Sequence, residues 1–344
     1  MNINNENNIW GIAAGNGNRN YPKVFLDWAV MLMGPGNPGI WNDKKDIYEK
    51  GENPKKFNML KDFCENTHGG DVVLLKVEPG LYKIGIIEGN YEWHDIFGDI
   101  DGWNLQHTRR VRWLPKEYQP PFNLNRRGTF YKLNAPQVKQ WLKSLNIQED
   151  AYNSKLRDIP LDSEFSKLSL EKISEDLFDK GVASNSIESL MHDMSGLIRV
   201  ANWYESHDIG PSEDETRAYL VIPLLQALGW TQQRMAIGWN KIDIALFSEP
   251  ERRDDALSIV VEVKKKGDSC LSAEKQAEDY MNKKGRENCK KLIVTDGLRY
   301  GIFEKKDNKL KKLSAYMNLT RLIDKYPIYG CEGATTLLSL MAPH

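Results

Sequence analysis

The sequence predicts a chain of mixed α+β and α/β class. It divides into an amino-terminal β-barrel domain over residues 1–145, a helical connector over 146–205, and a carboxy-terminal α/β/α domain over 206–344. Three observations predict this. Short apolar runs separated by Gly- and Pro-containing turns fill the first part. Leu, Ile and Met recur at helical spacing through the middle. From Ser212 onward, helical and strand patterns alternate. A length of 344 residues makes two domains the default, and 40% hydrophobic with 28% charged residues is the composition of a globular chain with substantial cores.

In the first part, six of the ten tryptophans lie within the first 113 residues. An opening strand is expected at Trp10-Gly11-Ile12, a helix through Lys55–Asn66 on the spacing of Phe57, Leu60, Phe63 and Cys64, and strands at Asp71–Lys76 and Tyr82–Glu88 around the turn Glu78-Pro79-Gly80. Arg109–Leu114 is a further apolar and basic strand segment, and Ala135–Leu145 a short helix with Pro136 in its tolerant first turn. Residues 146–165 are polar and linker-like. Beyond them Leu168, Ile173, Leu177, Ile187, Leu190 and Met194 mark an amphipathic helical connector.

The third part opens with a helix over Glu213–Leu228, stopped by Gly229. Strands follow at Lys241–Phe247 and Ser258–Lys264, then a helix over Ser272–Lys284 closed by Gly285, then strands at Lys291–Thr295 and Arg299–Phe303 around Asp296-Gly297.

The formal net charge of -1 hides an uneven distribution. Residues 1–145 carry 19 Lys/Arg against 16 Asp/Glu, residues 146–212 carry 6 against 13, and residues 213–344 carry 22 against 19. Two mildly basic ends flank an acidic middle, which permits a nucleic-acid partner without demanding one. Cys64, Cys270, Cys289 and Cys331 are far apart and show no zinc or disulfide spacing. No apolar run reaches the ~18 residues of a membrane-spanning helix, and the first residues lack a signal-peptide pattern, so the expected compartment is the cytoplasm. His94 and His107 stand outside any metal-ligand pattern, and Gly15-x-Gly17 and Met33-Gly34-Pro35-Gly36 lack the Lys-Ser/Thr of a phosphate loop.

The chemistry is concentrated in the third part. Glu262 and Lys264 are two apart on one strand and emerge from the same face, while Ile259, Val261 and Val263 point to the other. Asp243 sits between Ile242 and Ile244 on a second apolar strand. Carboxylates and an ammonium in such surroundings are costly unless paired or metal-bound. Magnesium prefers oxygen ligands and keeps several waters, so one or two carboxylates suffice to hold it.

Taken with Glu215-x-Arg217, the run Pro223-Leu224-Leu225 to Leu228-Gly229-Trp230, Gln276 and Tyr280, this order resembles the PD-(D/E)xK nuclease superfamily. The nearest branch is the nuclease domain at the start of type I restriction enzyme R subunits, and the resemblance covers residues 213–305. The resemblance implies a restriction-endonuclease-like fold, Asp243 and Glu262 as Mg2+ ligands (Mn2+ as a substitute), and the Val263 carbonyl as a third. It implies Lys264 as the group that orients or deprotonates the attacking water, Glu215 in support, and Gln276 and Tyr280 positioning the site or the DNA backbone. Ile242 stands where the superfamily's name has proline. Glu215 has a rival role, because Ser212-x-x-Glu215 is also a capping box. The chain carries no helicase or ATPase motif.

The first part, over residues 8–115, resembles the PUA-like superfamily and its EVE branch through Trp10-Gly11-Ile12, Trp41, Gly70-Asp71-Val72-Val73, Ile84-Gly85-Ile86-Ile87, Tyr91-Glu92-Trp93 and Arg109-Arg110-Val111-Arg112-Trp113. That resemblance implies an aromatic pocket for a flipped, modified base. Trp10, Trp41, Tyr91, Trp93 and Trp103 are the candidate walls, and Arg109, Arg110 and Arg112 the candidate phosphate contacts. The competing reading places most of the tryptophans in the core. Reader and cutter together read as a modification-dependent, type IV-like restriction endonuclease acting on DNA, with a homodimer formed through the connector. The alternatives are an RNA-directed nuclease and a non-catalytic nucleic-acid-binding module.

Overall fold

The computed structural model describes residues 7–16, 19–124, 128–133, 135–145, 156–207, 210–306 and 309–342. Residues 146–155 of the expected linker lie outside that set. The chain divides into two compact units, Met1–Asp162 and Ser163–His344.

The first unit is a curled six-stranded sheet, a half-barrel, with helices packed on it. Its strand order runs Val30–Met33, His107–Tyr118, Leu81–Trp93, Val72–Glu78, Ile9–Ala13 and Phe130–Lys132. Among the described residues of this unit, only Ile9–Ala13 and Val72–Glu78 run parallel. The first and last strands in that order remain edges, so the sheet curls without closing. Val72, Val73, Leu74 and Leu75 are all buried, because both faces of this central strand are covered. On one face Val138, Trp141 and Leu142 of the Pro136–Ser144 helix pack against Ile9, Val72, Leu74 and Ile84. Phe63, from the Pro54–Glu65 helix, meets Phe130 edge-on at 5.3 Å between ring centroids. The Trp41–Gly51 helix has no counterpart in the sequence reading.

The second unit is a six-stranded mixed sheet between two layers of helices. Its order is Lys309–Asn318, Arg299–Lys306, Lys291–Thr295, Leu257–Val263, Ile242–Phe247 and Met235–Trp239. Leu257–Val263 and Lys291–Thr295 are parallel, which requires a crossover, and the Glu274–Met281 helix lies within it. Ala277 and Met281 of that helix pack on Ala245, Val260 and Leu292. The opposite face, with Ile244, Val261 and Ile293, is covered by Leu220–Leu228 and by the helices Leu170–Asp179 and Ser184–Ser206.

These last two helices are the expected connector. Ile173, Leu177, Ile187, Leu190 and Met194 are buried in the same apolar cluster as the sheet, so residues 163–207 are a layer of the second unit rather than a free-standing link. Two further differences have local causes. Asn240 and Lys241 both adopt positive φ, forming a two-residue turn that pairs Trp239 with Ile242, so Lys241 belongs to the turn and not to the strand. The helix expected over Glu213–Leu228 is interrupted by a π turn over Arg217–Val221, where the Ile222 N–H bonds the Arg217 carbonyl. Pro223 lacks the N–H that would bond Tyr219 and crowds that carbonyl, which favours a widened turn just before it.

Leu190→Ala is expected to destabilise the second unit by about 2–5 kcal/mol. Urea unfolding would show this as a lower midpoint; a change near zero would mean that the helices do not share the core of the sheet.

Candidate active site

Asp243 lies one residue beyond the last pair its strand makes with Leu257–Val263, Ile244 opposite Val261, which brings it level with Glu262 on that strand. There the backbone ladder ends and side chains take over. Asp243 Oδ2 accepts the Val263 N–H at 2.8 Å, and Asp243 Oδ1 accepts from Arg217 Nη2 at 3.0 Å. On the other side, the Lys264 N–H bonds the Thr295 carbonyl at 2.8 Å, which holds the strand end in the sheet. The turn after Thr295 passes against the first helical segment: Gly297 has φ +81°, and a Cβ there would come within 2.8 Å of Thr216 Cγ2.

Glu262 is 2% exposed. Its Oε1 accepts from Lys264 Nζ at 2.9 Å and also from Gln276 Nε2. Gln276 Oε1 in turn accepts from Lys264 Nζ at 3.4 Å, and Tyr280 OH lies 3.5 Å from Gln276 Nε2. Glu262 Oε2 is buried and has no hydrogen-bond partner among the described residues. An unsatisfied buried acceptor costs about 1–3 kcal/mol, and more on a charged group.

Burial pushes the Glu262 carboxyl above its ordinary range, against the Lys264 hydrogen bond and with help from the negative charges of Asp243 and Glu213. Burial acts to lower the Lys264 pKa, but the hydrogen bond and charge of Glu262, with Glu213 and Asp243 behind it, outweigh that and raise it. Without a bound cation, Lys264 is therefore held as a charged donor to Glu262.

The structure thus brings together Asp243, Glu262, Val263, Lys264, Gln276 and Tyr280. Glu215 is not among them: its carboxylate bonds the Ser212 N–H at 2.7 Å and completes the capping box. Glu213 and Arg217, which sequence reasoning did not place in the site, are the helical residues that reach it. Arg217 Nη2 lies 3.7 Å from Glu213 Oε1, and the charge of Glu213 acts on both Glu262 and Lys264. The signal was the i,i+4 spacing, which sets 213 and 217 on one helix face and turns 215 away from it.

No group of three His, Cys, Asp or Glu side chains converges on a metal position among the described residues. Two carboxylates, one of them with an orphaned buried oxygen, are nonetheless a sufficient donor set for Mg2+, which retains waters.

In the first unit, two of the five expected pocket walls, Trp10 and Trp41, are core residues. Trp10 stacks on Phe130 at 4.8 Å and bonds Asp71; Trp41 bonds Glu65 and packs on Tyr48 and Phe57; both are 1% exposed core residues. Tyr91 OH bonds His107 at 2.8 Å and accepts the Trp41 N–H, while Trp93 donates to the Gly36 carbonyl. Burial lowers the His107 pKa to about 4, so this ring is neutral. Arg109 is buried and donates to the Phe63 and Cys64 carbonyls, which takes it out of reach of phosphate. Arg110 bonds the Arg157 carbonyl and Arg112 pairs with Glu88. Trp103 differs: it is half-buried and lines a cavity of about 380 Å³ with Phe25, Leu32, Pro35, Lys56 and Asn104, with the Arg19 guanidinium 5.2 Å from its ring centroid.

A family model described as a domain of unknown function (DUF8426) matches residues 27–134, within the first unit. No curated protein and no solved structure matches the chain.

The raised Glu262 pKa has a stability consequence. A carboxyl whose folded pKa exceeds its unfolded value disfavours the native state once ionised, so stability is lost as pH rises from the ordinary carboxylate range through the raised one. In chelator, Glu262→Gln is expected to raise the melting temperature near neutral pH, and the gain should vanish in acid. Thermal melts of both proteins across pH would check this, and an unchanged or lower melting temperature at neutral pH would contradict it.

Proposed function

We propose that the second unit is a metal-dependent nuclease of the PD-(D/E)xK kind, hydrolysing phosphodiester bonds of DNA. The observation that carries this reading is the buried, unpartnered Oε2 of Glu262, on a carboxylate level with Asp243 and bonded to Lys264. An acceptor left in that state is accounted for when a divalent cation takes up the remaining lone pairs. Asp243 and Glu262 would hold the cation, with the Val263 carbonyl as a third ligand. A bound divalent cation supplies Lewis acidity and lowers the pKa of a coordinated water.

The chain's own residues do the rest. Lys264, kept charged by its acidic neighbours, donates to the phosphoryl oxygens as negative charge develops on them. Gln276 bonds both Glu262 and Lys264 and so fixes their relative orientation, and Tyr280 braces Gln276.

In this reading the first unit is a PUA-like reader, and its recognition element is the cavity beside Trp103. Its volume lies within the range of small-ligand pockets, and an aromatic face beside Lys56 and Asn104 suits a planar, hydrogen-bonding base. The whole chain would then be a modification-dependent restriction endonuclease. One site cuts one strand, so cutting both strands takes two copies; exposed Val200 and Trp203 on the Ser184–Ser206 helix are the contact we expect.

The test is a digestion panel of plain DNA, phage DNA with modified cytosines, and structured RNA, each with Mg2+ and with chelator. Mg2+-dependent cleavage of DNA is expected, falling by roughly 100-fold or more in Asp243→Asn, Glu262→Gln and Lys264→Ala. Cleavage that survives all three substitutions would refute the site, and cleavage confined to RNA would refute the substrate.

A further inference from the structure

Arg217 is a cation already in place where the cation-binding carboxylates are. Its Nη2 lies 3.0 Å from Asp243 Oδ1 and 3.7 Å from Glu213 Oε1, and its Nη1 lies 3.3 Å from Asp214 Oδ1. Its side chain is 18% exposed, as is that of Asp243, so this pair is poorly screened compared with a surface ion pair. The negative charges of Glu213 and Asp243 both act on Glu262 here, and Arg217 with Lys264 are the positive groups hydrogen-bonded or ion-paired to these three acids. The two cations divide the work: Lys264 is bonded to Glu262, and Arg217 bridges Asp243 to Glu213. Arg217 Nε is buried and has no hydrogen-bond partner among the described residues, so the fork is only partly satisfied where it rests. The π turn begins at this residue, on the segment that packs beside Gly297.

Resting on the reading that Asp243 and Glu262 hold a divalent cation, we propose that Arg217 is the site's resident counter-cation. It is a positioning residue that keeps Asp243 aligned with the Val263 N–H while the cation is absent, and its charge limits how tightly the cation binds. Asp243 Oδ1 retains one lone pair beside the Arg217 bond, so the cation and the guanidinium share the carboxylate under mutual repulsion. For a divalent ion about 6 Å from the guanidinium, that repulsion weakens binding by roughly tenfold even at the dielectric of water. The site is thereby kept assembled without metal, and metal occupancy is held down until a phosphate anion offers the guanidinium another partner.

The test is Mn2+ titration of the full chain, followed by electron paramagnetic resonance, without nucleic acid. Wild type, Arg217→Gln, Arg217→Lys and Glu262→Gln are compared after circular dichroism confirms their folds. Arg217→Gln should bind Mn2+ roughly tenfold more tightly than wild type, and Arg217→Lys, which keeps the charge, should stay near wild type. Equal or weaker binding by a folded Arg217→Gln, with wild type binding and Glu262→Gln not, overturns the counter-cation role and leaves the cation site standing. Binding that is absent from wild type, or unaffected by Glu262→Gln, overturns the cation site and this proposal with it.

Discussion

Keeping the Glu262 carboxylate buried at the end of an apolar strand is the constraint around which the second unit is arranged. A charge in that position needs partners, and each is delivered by a different element. Lys264 comes from two residues along the same strand, and Gln276 from the crossover helix that a parallel strand pair requires. Asp243, which repels Glu262 instead of pairing with it, comes from the neighbouring strand, where the ladder between these two strands stops and Val263 bonds a side chain in place of a backbone carbonyl. The helices on both faces exclude water from the middle of the sheet and leave its end open to these groups. One carboxylate oxygen is satisfied twice over and the other not at all. That asymmetry is the observation on which the proposed cation site rests.

Much of this was legible in the sequence because it depends on short-range geometry. A two-residue spacing on a strand fixes Glu262 and Lys264 on one face, and Ile242-Asp243-Ile244 declares an acid inside an apolar strand. The strands Val72–Glu78, Leu257–Val263 and Lys291–Thr295 were readable for the same reason, being apolar runs bounded by turns. What escaped depended on rotation or on distant partners. Glu215 and Glu213 differ by two positions on a helix, and which one faces the site follows from the cap: Ser212 takes Glu215, leaving Glu213 and Arg217 on the other side. The strand Lys309–Asn318 is rich in lysine and reads as polar, yet its pairing with Arg299–Lys306 makes it part of the sheet. The helices from Leu170 to Ser206 were recognisable as amphipathic, but no local signal says which core their apolar stripe joins.

The aromatic first unit shows the same limit more sharply. Composition reveals that tryptophans are abundant and says nothing about which of them face inward. Trp10 and Trp41 each fill the core and pair their indole N–H with a carboxylate, the arrangement expected for a buried indole, whereas Trp103 sits beside a cavity. Likewise Arg109 was indistinguishable from its neighbours Arg110 and Arg112 until the Phe63 and Cys64 carbonyls were seen to take its guanidinium. Of the five aromatic residues the sequence offered as pocket walls, Trp103 is the one that lines this cavity.

The central claim, that Asp243 and Glu262 jointly hold one divalent cation, is tested most directly by anomalous X-ray scattering from crystals soaked in Mn2+. The account requires a single strong peak in bonding contact with Glu262 Oε2 and an oxygen of Asp243. A clean map at that position, or a peak bound elsewhere in the second unit, would contradict it.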